Sequence, residues 1–162
     1  MTKEESKLEK LKKDYEVIRK KHDLPSFEKL NEDFQIEKAA EVETDILIRE
    51  VRRFIADKLA GYMRFIETLL NPVNAPMFVF SIIKTLGMEE KKKASEIYKK
   101  LTKNEIKLIR LDTEFSEEKE DEFIKSSYEL WQEIKIVFLS ILDKIDENLD
   151  TKIEEKNKGY FG

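Results

Sequence analysis

Almost nothing in this chain can interrupt a helix. The three prolines are confined to positions 25, 72 and 76, and the four glycines stand singly at 61, 87, 159 and 162. Proline removes a backbone donor and glycine costs a helix interior about 1 kcal/mol relative to alanine, so long stretches lacking both are free to stay helical. No segment alternates apolar and polar residues long enough to make a strand. The reading is all-α: an antiparallel helical bundle of about five to six helices.

Apolar spacing places the helices. Leu8, Leu11, Tyr15, Ile18 and His22 recur at steps of three and four, and Leu24-Pro25 ends that stripe because the residue before proline is pushed out of the α region. Ser26 is suited to cap a second short helix carrying Phe27, Leu30 and Phe34. A long helix is expected over 37–70, with Ala40, Leu47, Val51, Phe54, Ile55, Leu59, Tyr62, Ile66 and Leu69 on its inner face. A second long helix is expected over 116–152, started by Ser116 and striped by Phe123, Ser127, Trp131, Ile134, Phe138, Ile141, Ile145 and Leu149. Thr102-Lys-Asn-Glu105 matches a capping box and predicts a restart there, after a helix beginning near Met88.

Between the long helices lies NPVNAPMFVFSIIKTLG, residues 71–87. Its apolar run is too short to cross a bilayer, which takes about twenty residues. Apolar side chains from Met77 to Leu86 go nearly all the way round a helix, predicting a short buried helix at about 75–86 with Gly87 as its stop. Should its outer side be exposed instead, Met77, Phe78 and Phe80 become a patch for a partner.

The 162 residues fit a single helical domain over 1–155 and a tail over 156–162, and a chain of that size buries roughly 70% of its unfolded surface without a metal or disulfide. Cysteine is absent, excluding thiol catalysis, cysteine-bound zinc, iron–sulfur clusters and disulfides. The start, MTKEESKLEKLKKD, is charged where a signal peptide would be apolar, so a cytoplasmic location and no membrane contact are expected. Charged residues make up 41% of the chain, a bias toward lysine and glutamate of the kind seen in thermophilic proteins.

Catalytic chemistry finds little material. The single His22 cannot supply the paired Glu-x-x-His motifs of a di-iron bundle, and no glycine-rich phosphate loop is present. No cofactor is expected. Glu43, Glu50 and Asp57, and Asp143, Glu147, Asp150 and Glu154, form carboxylate rows that would suit a divalent metal if a second acidic helix faced them. Charge is also unevenly distributed: Lys84 to Arg110 holds nine basic residues against four acidic, and Asp112 to Glu155 fifteen acidic against five basic.

Three functions stay open. The leading one is a non-enzymatic interaction or scaffold protein that binds another protein or itself, with Met77, Phe78, Phe80, Tyr160 and Phe161 as candidate contacts. The second is association with RNA or a ribonucleoprotein through Lys91, Lys92, Lys93, Lys99, Lys100, Lys103, Lys107 and Arg110, which a salt-sensitive affinity would mark. The third is a carboxylate-based metal protein.

Overall fold

A computed structural model describes residues 2–159, and among them the chain is all helix: a bundle with no strand. The helices are α1 (Lys3–His22), α2 (Phe27–Phe34), α3 (Leu47–Leu70), α4 (Met77–Ile83), α5 (Met88–Thr113) and α6 (Glu117–Lys158), with 3-10 turns at Ile36–Glu41 and Pro72–Asn74. They divide into two compact units. Among the described residues the first takes 2–61 together with Lys103–Trp131, and the second takes Tyr62–Thr102 with 132–159. α3, α5 and α6 each contribute residues to both.

In the first unit, α1 begins with a capping box, Thr2 Oγ1 accepting from the Glu5 amide at 3.2 Å while the Glu5 carboxylate takes the Thr2 amide. It ends at Asp23, whose left-handed φ of 53° turns the chain into Leu24-Pro25. Tyr15 fastens this corner. Its hydroxyl donates to the Pro25 carbonyl at 2.7 Å and its ring meets Phe27 edge-on at 5.7 Å. Burial pushes the Tyr15 phenol well above its ordinary range, so it stays a donor. Leu30, Phe34 and Ile36 are fully shielded behind it, each worth about 1.5–3 kcal/mol relative to exposure. The same unit packs Ala56 of α3 against Leu111 of α5 and Phe123 of α6. Glu114 to Ser116 reverse the chain, with Ser116 Oγ accepting from the Lys119 amide.

In the second unit, Phe138 of α6 receives two rings from α3, Tyr62 at 5.0 Å and Phe65 at 5.9 Å between centroids. Ile66, Leu69, Ile82, Ile83, Leu86, Ala94, Ile97 and Leu101 complete the interior with Ile134 and Ile141. Thr102 of α5 reaches the Met63 sulfur of α3.

Four expectations are corrected. The helix expected over 37–70 starts only at Leu47, because Gln35 sits in the left-handed region and throws the chain into a 3-10 turn. Thr44 Oγ1 then accepts from the Ile46 amide at 3.1 Å and launches α3. The restart expected at Thr102 does not occur: α5 passes straight through, since Asn104 is buried and engaged by the Ser127 hydroxyl at 3.1 Å, while Leu101 and Leu111 keep the apolar face continuous. Packing overrides a local cap signal. Three helices are therefore long, not two. The short helix at 75–86 forms, as α4 with the turn that follows it, but only Ile82, Ile83 and Leu86 are buried. Its first turn has no inner surface to cover it, and Met77 is 85% exposed.

Candidate interaction surfaces

The polar groups buried in the first unit are structural. Arg52 of α3 donates from Nε to Glu120 of α6 at 2.7 Å and from Nη2 to Asp112 of α5 at 3.0 Å. Burial works against its charge, yet hydrogen bonds to Glu120 and the charge of both carboxylates raise its pKa overall. Neither Arg52 nor Glu120 was picked out by sequence periodicity. The signal was there in outline: Arg52 lies one position from the inner-face residue Val51, and Glu120 one turn before Phe123.

His22 occupies the last turn of α1 with its side chain 8% exposed. Nδ1 lies 2.9 Å from Asp121 Oδ2 and Nε2 lies 3.4 Å from Glu117 Oε2, so each ring nitrogen faces a carboxylate near the start of α6. Lys21 donates to the same Glu117 at 2.6 Å, and that bond with its charge holds the Glu117 carboxyl below the usual carboxylate range. These contacts tie α1 to α6. They match the packed histidine that the apolar spacing implies.

The carboxylate rows do not converge. Among the described residues no three His, Asp or Glu side chains gather in a way that could hold a metal ion. Glu43, Glu50 and Asp57 line a groove of about 710 Å³ shared with Arg49, Arg52 and Arg53. Arg53 approaches Glu50 at 3.5 Å and Arg49 lies over the Phe115 ring at 5.5 Å.

Of the candidate contacts, α4 brings Met77 and Phe78 to the surface together with Val79, Phe78 being 46% exposed. Phe80 is half-buried with the Lys84 ammonium 5.2 Å above its ring. Val73, just before α4, and Met88, at the start of α5, are exposed as well. Tyr160 and Phe161 lie outside the described residues.

The basic row of α5 is solvent-facing. Lys91, Lys92, Lys99, Lys103, Lys107 and Arg110 are exposed and have no ion pair among the described residues, whereas Lys93 pairs with Glu89 and Lys100 with Glu133. The acidic helix that follows thus neutralises little of it. In the first unit Lys107 and Arg110 border a groove of about 660 Å³ floored by Leu111 and Phe123. Exposed Ile106 and Ile109 stand among these cations, a feature that counting charges along the sequence did not reveal.

No helix among the described residues is long and apolar enough to cross a membrane. Compared with protein-family models, curated proteins and solved structures, the chain finds no match.

Proposed function

We infer that this protein is a helical interaction protein that binds another protein through the outer face of α4. One observation carries the reading: Met77, Phe78 and Val79 follow one another at the surface of a helix, beside exposed Val73. Isolated exposed apolar residues are ordinary, but a run of large ones on one short element marks a docking surface. A methionine among aromatic and branched residues also suits a surface that adapts to its partner.

Affinity capture from the source cells at low salt, with and without nuclease, tests this. A protein that survives nuclease and is lost with Met77→Glu/Phe78→Glu supports the reading. Capture of the same proteins by wild type and variant overturns it.

A second reading is association with RNA, favoured by the unpaired cations of α5. Its weakness is chemical: the row holds one arginine, and the large apolar side chains exposed among the lysines are Ile106 and Ile109, which stack poorly on bases. Binding of a structured RNA that is insensitive to salt, or to reversing Lys91 and Lys92 to glutamate, excludes it.

A further inference from the structure

Two exposed stripes, one on α5 and one on α6, match each other. On α6, Ile136, Leu139, Asp143, Asp146, Asp150 and Ile153 recur at alternating steps of three and four, and all six are exposed, Ile136 at 78%. On α5, Lys92, Glu96, Lys99, Lys103, Ile106 and Arg110 recur in the same way, and all are exposed. Such alternation keeps one side of a helix turned toward a partner helix along its length. Neither the three aspartates nor the four cations have an ion pair among the described residues.

α5 and α6 face each other through Asn104 and Ser127 in the first unit, and through Lys100 and Glu133 in the second, which leaves both stripes outward. Beyond Ile141 the residues of α6 are at most half-buried, Ile145 and Leu149 among them, while the helix continues to Lys158 and its stripe stays exposed. A helix end of that length gains little stability by itself and is normally held by a neighbour along one face.

The geometry points to self-association in which the α6 stripe of one copy lies along the α5 stripe of a second. Laid antiparallel, the matching steps set Ile136 on Ile106, Leu139 along the stem of Lys103, Asp143 on Lys99 and Asp150 on Lys92. Asp146 meets Glu96, the one like-charged layer. The occupant is a second copy because the α5 stripe offers isoleucine and cations together. An acidic amphipathic helix satisfies both, and a phosphate backbone only the cations. The site is separate from the α4 face and does not depend on it.

The test uses two charge-reversed full-length variants, Asp143→Lys/Asp150→Lys on α6 and Lys92→Asp/Lys99→Asp on α5, with circular dichroism checking that each stays helical. Light scattering after size exclusion is expected to show wild-type association at low salt that weakens as salt rises. Each variant alone associates at least about tenfold more weakly, the scale of a lost cross-helix charge contact. Their equimolar mixture restores association, since reversed α6 then meets reversed α5, and Glu96→Lys tightens the wild type by removing the like-charged layer. Phe78→Glu leaves all of this unchanged, separating the outcome from that of the α4 reading. A wild type that is monomeric at low salt overturns the inference, as does a mixture that stays monomeric or an association abolished by nuclease.

Discussion

Arg52 on α3 and Glu120 on α6 form a charge pair, Nε to Oε2 2.7 Å, in which the glutamate side chain is 1% exposed and the arginine side chain 7%. A pair shielded this well stabilises little relative to apolar residues of the same size, but breaking it strands a charge. Arg52→Met is therefore expected to lower unfolding stability by about 3–5 kcal/mol, and the double change Arg52→Met/Glu120→Leu to recover most of that loss. Denaturant titration of the three proteins measures both. A double variant as unstable as the single one contradicts the account.

Tyr15 gives a milder case. Tyr15→Phe keeps the ring against Phe27 and deletes only the hydroxyl that donates to Pro25. The expected loss is about 0.5–1.5 kcal/mol, and the Pro25 carbonyl, which is half-buried, can turn to water. Tyr15→Ala, which empties a fully buried site, should cost about 3–5 kcal/mol.

Acid should loosen the tie between α1 and α6. The Glu117 carboxyl is held below its ordinary value of 4.5 by its hydrogen bond to Lys21 and the charge of that ammonium. Its contribution is thus complete above pH 4.5 and disappears as pH falls through the lowered folded value, where the unfolded chain binds the proton more readily. Lys21→Ala should flatten this part of the profile of melting temperature against pH. An unchanged slope below 4.5 would show that the pair is not coupled to folding.

On α4 the two faces should behave oppositely. Phe78→Ser touches an exposed ring and is expected to shift stability by no more than about 0.5 kcal/mol. Ile82→Ala empties a buried site one turn later and is expected to cost about 2–5 kcal/mol. Comparable losses at both positions would mean that the Phe78 face is covered.

The helices were legible in the sequence where one periodic stripe meets one core. Phe123, Ser127, Trp131, Ile134, Phe138 and Ile141 are all buried in the order their spacing implied, and Ser26 and Ser116 cap the helices they precede. Failures came where local and tertiary preferences disagree. Thr102 and Glu105 have the types of a capping box, but Asn104 between them is claimed by Ser127 across the bundle. Gln35 carries no marker of a left-handed residue, so the break before α3 was hidden.

The surfaces were only half legible, for a related reason. The lysines of α5 were visible as charge, and Met77 and Phe78 as apolar residues, but composition does not say which side of a helix is covered. Phe80 and Phe78 are identical in type and two positions apart, and only the first has a lysine above it. Ile136 and Leu139 sit among the core residues of α6 in sequence, and nothing but the helical phase separates them from Ile134 and Phe138.

The bond between His22 and Asp121 joins residues 99 positions apart, and that between Arg52 and Glu120 residues 68 apart. A helical protein usually closes local contacts and folds quickly, but the first unit cannot be completed from its own early residues. During synthesis α1 and its Tyr15 corner can form as soon as they emerge, and the partners of His22 follow only after the whole of the second unit's α4 has been made. The earliest helix to form waits longest for its neighbour.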